Sequence, residues 1–168
     1  MINIIKRKKC VKMHTQIINM DSPDNKQLLK TAVDIEVMVQ GTQAWGQATM
    51  TKFLAMPYYY LMLTLIEDEV VAYCLYHALF ESAEILRIGT HLNWQKQGIA
   101  SQLLHHLIIH LQQQQVENLL LEVRADNTPA INLYKKLGFQ QIDCRKGYYA
   151  NRNGTVTNAI IMSLRLTS

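Results

Sequence analysis

Cysteine is scarce. Cys10, Cys74 and Cys144 are an odd set at wide spacing, which excludes a disulfide framework or a closely spaced zinc site and suits a reducing cytosol. Each reads as a small, mostly buried hydrophobe. Long apolar runs are missing too. Residues 58–66 are broken by Thr64 and fall far short of the roughly 20 residues that a membrane-spanning helix needs. No apolar run of seven or more follows the basic cluster Lys6-Arg7-Lys8-Lys9, so no secretory leader is expected. Outside that cluster the net charge is close to zero: the formal net charge is only +4, and the cluster accounts for it. Two familiar phosphate loops are also lacking. There is no Gly-x-x-x-x-Gly-Lys-Ser/Thr run and no Gly-x-Gly-x-x-Gly fingerprint, so neither a nucleotide triphosphatase nor a dinucleotide dehydrogenase is supported.

What is present is a chain of 168 residues, 49% of them hydrophobic, large enough to bury a core without covalent staples. Residues 1–11 read as a flexible basic tail, suited to solvent, RNA or an anionic surface, and 12–168 as a single domain. Residues 12–20 alternate and are rich in Ile, which predicts a strand. Asp21-Ser22-Pro23-Asp24 signals a helix start, with apolar Leu28, Leu29, Val33, Ile35, Val37 and Met38 behind it. Residues 41–57 read as helix and loop around Met50, Phe53 and Leu54. The period then changes. Residues 58–66, 70–79 and 83–90 predict three strands of an antiparallel meander, with Glu67-Asp68-Glu69 at the first turn.

After Gly98, the spacing of Ile99, Leu103, Leu104, Leu107, Ile108 and Leu111 predicts a helix with one apolar face. A strand at 118–124 completes a βαβ unit with a parallel pair. Thr128-Pro129 opens another helix over 130–137, closed by Gly138. Strands at 139–149 and 155–166 follow, with Asn153-Gly154 as a hairpin signal.

The turn Gln95-Lys96-Gln97-Gly98-Ile99-Ala100 precedes a helix start, where backbone N–H groups are free and the dipole is positive. It is either an anion cradle or a helix that needs a Gly and a small residue to pack. Glu122 stands alone in Leu119-Leu120-Leu121-Glu122-Val123, and a carboxylate in a central strand is costly unless paired or used. A partner within reach is Arg124, which lies on the same strand face. Tyr134, on an otherwise apolar helix, reads by itself as a half-buried packing residue. His106 and His110 have a metal-like spacing but lack the Glu and the third ligand that such a site needs. Tyr58 reads as the start of a strand that lines an acceptor groove.

The motif Gln95-x-x-Gly98-x-Ala100 is similar to the Q/R-x-x-G-x-G/A motif of the GCN5-related N-acetyltransferases (GNAT). The likeness continues through Leu121-Glu122-Val123-Arg124-Ala125-x-Asn127 and Ala130-Ile131-x-Leu133-Tyr134-x-x-Leu137-Gly138-Phe139. With Arg145-x-x-Tyr148-Tyr149 and Ala159-Ile160-Ile161-Met162, the combination resembles the ribosomal-protein alanine N-acetyltransferase (RimI) branch. It covers residues 70–166 well and the first 60 poorly. There are two departures. Thr157-Asn158 stands where relatives place an acidic residue, and Ala100 replaces the second motif glycine.

The resemblance implies an α/β (α+β) GNAT fold. Its mostly antiparallel sheet would have six to seven strands, splayed at the parallel pair and flanked by about four helices. It implies acetyl-CoA as cosubstrate and no metal. Lys96, Gln97, Gly98, Ile99, Ala100 and Ser101 would hold the pyrophosphate, Ile88, Gly89 and Thr90 the pantetheine arm, and Asn127 would contact the cofactor as well. It implies Glu122 as general base, Tyr134 as general acid and a backbone N–H near Thr90 as oxyanion donor. Trp45, Arg145, Tyr148 and Tyr149 would face the acceptor, expected to be a peptide or ribosomal-protein N-terminus met in a transient ribosome contact. The expected setting is the cytoplasm, without a membrane, as monomer or weak dimer. Other readings are acetylation of a small-molecule amine or a lysine side chain, or a non-catalytic acyl-CoA-binding or RNA-associated adaptor.

Overall fold

The computed structural model describes residues 12–18, 23–151 and 153–166. The basic tail at 1–11 and the expected cap Asp21-Ser22 lie outside the described residues. The order of elements is β1 (Met13–Ile18), α1 (Pro23–Gln40), α2 (Gln47–Leu54), β2 (Tyr59–Ile66), β3 (Glu69–Leu79), β4 (Ser82–Thr90), α3 (Ile99–Gln113), β5 (Asn118–Arg124), α4 (Thr128–Lys136), β6 (Gln140–Ala150) and β7 (Val156–Arg165). Short 3-10 turns stand at Gly41–Gln43 and Leu92–Trp94.

Among the described residues the seven strands form one sheet in the order β1-β2-β3-β4-β5-β7-β6. Every neighbouring pair is antiparallel except β4 with β5. Strand alternation sends side chains to opposite faces, and each face carries its own core. Leu61, Leu63 and Leu65 pack with Leu29, Val33 and Met50 beneath α1 and α2. Met62 and Ile66 pack with Leu103, Leu107 and Leu111 of α3 and with Tyr134 of α4 on the other side.

The expected apolar face of α1 needs correction. Leu29, Ala32, Val33, Ile35 and Glu36 are buried, whereas Val37 and Met38 are 52% and 44% exposed. A helix turns about 100° per residue, so the stripe centred on Leu29, Ala32 and Glu36 rotates Val37 and Met38 toward solvent. Tyr58 is also corrected: it precedes β2 with φ 69° and is exposed. The β2–β3 turn is Glu67-Asp68, both at positive φ, a tight hairpin geometry matched to strand twist. Asn153-Gly154 lies within a longer loop instead of forming a two-residue turn, because Ala150 pairs with Val156 and Asn151 N–H bonds to the Thr155 carbonyl.

The parallel pair positions the site. β4 and β5 are in register only from Ser82 with Asn118 to Ile85 with Leu121. Leu86 then bulges, since Tyr76 pairs with Ile85 and Leu75 with Arg87, and a bulge bends its strand. Beyond it β4 stays paired to β3 through Thr90, and β5 stays paired to β7 through Arg124. The two strands therefore diverge, each held by its outer neighbour.

Candidate active site

A cleft of about 560 Å³ opens where β4 and β5 part. Its walls are Leu86–Thr90 of β4, Glu122, Val123 and Arg124 of β5, Lys96 to Ser101 apart from Gln97, and Asn127, Leu133 and Tyr134. Tyr149 closes the far side. Each wall has a local cause.

At the head of α3, Gly98 is the N-cap with φ 82°, a left-handed conformation that glycine adopts at no steric cost. The first intrahelical bond runs from Gln102 N–H to the Gly98 carbonyl. The N–H groups of Ile99, Ala100 and Ser101 precede it and have no acceptor within the helix. The first turn holds no acidic side chain, and Lys96 stands beside it, so the helix mouth suits an anion. Gln97 points elsewhere, its amide donating to the Asn93 carbonyl at 2.9 Å. Gly89 answers a different need: a Cβ there would lie 2.6 Å from Tyr73 Cε1, so the strand passes directly over the Tyr73 ring.

Tyr134 is held by the end of α4. Phe139 N–H bonds to the Tyr134 carbonyl and Gly138 N–H to the Lys135 carbonyl, the paired bonds of a Schellman motif with Gly138 at φ 94°. The Phe139 ring returns to within 5.7 Å of the Tyr134 ring. The phenol is 5% exposed. Burial, and secondarily the Cys74 thiol, push its pKa well above the ordinary tyrosine value, so it keeps its proton at neutral pH. Asn127 is the N-cap of α4, its Oδ1 accepting Ala130 N–H at 3.3 Å.

Glu122 is 21% exposed. Its Oε1 accepts from the Tyr149 hydroxyl at 2.8 Å and its Oε2 from Arg145 Nη1 at 2.9 Å. The expected alternative of a Glu122–Arg124 pair is overturned. Arg124 instead grips Asp126 with two hydrogen bonds of 3.0 and 2.7 Å, because a bidentate fork to a carboxylate in the next loop is better geometry than a parallel neighbour on the strand. Arg124 in turn holds Asp126 below its usual pKa. Burial and the Glu122 bond push the Tyr149 pKa upward.

Of the residues expected to face an acceptor, Tyr149 lines the cleft, and Arg145 reaches Glu122 from the exposed strand β6. Tyr148 is 52% exposed and lies edge-on to Tyr149. Trp45 is packed between Phe53, at 4.8 Å, and the Arg87 guanidinium, at 4.6 Å, and stands behind Arg87 without itself lining the cleft. Two residues escaped the reading of the sequence: Arg87, which lines the cleft, and Glu36, which is fully buried behind it. A single charge inside each of the apolar runs Ile85-Leu86-Arg87-Ile88 and Ile35-Glu36-Val37 was the available signal. His106 bonds Thr15 and His110 bonds Gln114, and among the described residues no group of three or more His, Cys, Asp or Glu could hold a metal.

Residues 27–139 match the model of the acetyltransferase (GNAT) family. The chain belongs to that family. This acetyltransferase is 36% identical over 122 residues to the [ribosomal protein bS18]-alanine N-acetyltransferase of Haemophilus ducreyi, covering 73% of this chain and 83% of the relative. It is 33% identical over 123 residues to the enzyme of the same name from Escherichia coli K12, covering 73% and 82%. The solved structure of the ribosomal-protein-S18-alanine N-acetyltransferase from Escherichia coli superposes with TM-score 0.80 at 29% identity, over 92% of this chain and 96% of that one. The mixed sheet, splayed strands and α3 mouth are thus the GNAT fold, and family members use acetyl-CoA. A GNAT acetyltransferase from Elizabethkingia anophelis, solved with acetyl-CoA bound, shares the fold with TM-score 0.71 at 20% identity, over 92% of this chain and 98% of that one. Among the described residues no helix is long and apolar enough to cross a membrane.

Proposed function

We propose that this enzyme transfers the acetyl group of acetyl-CoA to the N-terminal α-amine of a small-subunit ribosomal protein, with alanine as the first residue. The observation that carries the reading is that Glu122 of β5, Tyr134 of α4 and the open first turn of α3 all face one cleft. Similarity to two enzymes named for ribosomal protein bS18 supports the choice of acceptor.

Acetyl-CoA supplies an activated acyl group, and the chain's own residues do the rest. The α3 N–H groups and Lys96 bind the pyrophosphate. Among the described residues the β5-facing edge of β4 has no strand partner at Ile88 and Gly89, which offer backbone groups to the extended pantetheine arm, while the Thr90 carbonyl accepts from Gln95 Nε2. An α-amine has a pKa of roughly 7.7–8.0, so its ammonium form needs only modest help to lose a proton. Glu122 takes that proton, directly or through one water. Tyr134, buried and protonated, gives a proton to the departing thiolate. Arg145 and Tyr149 hold the Glu122 carboxylate in place while the amine approaches.

The test is to incubate the protein with acetyl-CoA, small-subunit ribosomal proteins and a panel of N-terminal peptides, and to locate the added acetyl group by mass spectrometry. Acetylation at the α-amine of an alanine-initiated ribosomal protein is expected. Acetylation confined to polyamines or lysine side chains would overturn the reading, and acetyl-CoA binding without turnover would make the protein a sensor.

A further inference from the structure

The cleft wall contributed by β4 holds a charged cluster that the chemistry above does not use. Glu36 of α1 is 0% exposed, and a buried carboxylate is costly unless it is neutralised and hydrogen-bonded. It accepts Trp45 N–H at 3.0 Å and the Tyr73 hydroxyl, and its Oε1 lies 3.1 Å from Arg87 Nε. Arg87 is further fixed by donating from Nη2 to the Gln43 carbonyl and by lying 4.6 Å over the Trp45 ring.

The guanidinium is therefore held by its Nη2 hydrogen bond, by the ion pair with Glu36 and by the Trp45 face, while Nε itself is buried and makes no hydrogen bond among the described residues. Among the described residues its Nη1 has no acceptor, yet Arg87 lines the cleft and is 19% exposed. Tyr149, whose hydroxyl is bonded to Glu122, lines the same cleft. A fork donor with one free N–H edge, rigidly aimed and charge-balanced by Glu36, suits a neutral acceptor oxygen better than a further carboxylate.

We propose that Arg87 is an acceptor-binding residue whose Nη1 edge donates to one of the first two backbone carbonyls of the peptide whose α-amine reaches Glu122. The inference rests on the reading of the acceptor as a peptide α-amine. Glu36 is then the positioning residue that fixes the direction of that donor, and through Trp45 N–H the same carboxylate ties down the loop that carries Gln43, which lines the cleft.

The experiment compares three synthetic acceptor peptides: the all-oxygen form, and forms with a thioamide at the first or at the second peptide bond. Thioamide sulfur accepts hydrogen bonds poorly and leaves the α-amine in place. For the wild-type enzyme, one of the two thioamides is expected to raise the acceptor KM about tenfold, equivalent to about 1.4 kcal/mol. In Arg87→Gln that penalty is expected to vanish, so that the oxygen and sulfur peptides have equal KM, while the KM for acetyl-CoA stays as in the wild type. Because Arg87→Gln leaves Glu36 buried without its counter-charge, the double variant Glu36→Gln/Arg87→Gln is measured beside it, with thermal unfolding as the check on folding.

A wild-type enzyme indifferent to both thioamides overturns the proposal without any variant. So does a thioamide penalty that persists in the folded variants. A wild-type enzyme that acetylates none of the peptides but acetylates a small amine overturns the peptide reading itself, which separates the two failures.

Discussion

Glu122 is bound on both oxygens, by Tyr149 and by Arg145, so its carboxylate is oriented before any acceptor arrives. Replacing it with Gln keeps the shape and one acceptor oxygen but removes the base. Glu122→Gln is expected to unfold at nearly the wild-type temperature and to lose about 10²-fold or more in kcat, measured at saturating acetyl-CoA. An undiminished rate would end the assignment. Tyr134→Phe preserves the packing against Phe139 and removes only the hydroxyl. It should lower kcat while the acetyl-CoA dissociation constant, read by calorimetry, stays within about twofold; weaker binding alone would make the tyrosine a cofactor contact. Both residues could be singled out from their neighbours in the sequence. Arg145 could not be tied to Glu122, since a link between β5 and β6 needs the sheet order to be known.

At the scale of elements, the first turn of α3 depends on one backbone conformation. Gly98 sits at φ 82°, and a side chain there costs roughly 1–2 kcal/mol. A Cβ would otherwise meet little, its nearest neighbour being Gln102 Nε2 at 4.0 Å. Gly98→Ala is therefore expected to weaken acetyl-CoA binding several-fold by reshaping the turn, with only a small loss of melting temperature and no change in acceptor KM. A large fall in melting temperature with unchanged cofactor affinity would mean that the glycine serves packing. Periodicity made α3 and α4 legible almost to their ends, because each has an amphipathic stripe and a glycine at one boundary. It misjudged α1, where polar Glu36 occupies the centre of the buried stripe and apolar Val37 and Met38 face out. A hydrophobic pattern carries no information about a carboxylate whose counter-ion lies on another strand.

For the whole molecule, the buried tyrosines and Cys74 set an alkaline limit. Burial raises the pKa of Tyr73, Tyr76, Tyr134 and Cys74. In the unfolded chain the tyrosines ionise near about 10 and the thiol near about 8.5. Above those values the unfolded state has released protons that the folded state still holds, so stability falls as pH rises. Below about pH 7 these groups contribute almost no slope. At pH 10.5 the loss should be about 1 kcal/mol for each tyrosine and about 2 to 3 for the thiol. Urea unfolding at pH 8 and 10.5 measures it; an unchanged midpoint would mean that these side chains ionise as freely in the folded protein as in the unfolded one. The sequence by itself determined the order of elements, the helix mouth at Gly98 and the candidacy of Glu122 and Tyr134, because periodicity, caps and motif spacing are local properties of a chain. Only the tertiary structure decided that β4 and β5 part after Ile85, that Arg145 and Tyr149 hold Glu122, that Trp45 supports the wall, and that Arg87 forms its surface. Those are contacts between residues far apart in sequence, and they exist only once the sheet order brings their strands and helices together.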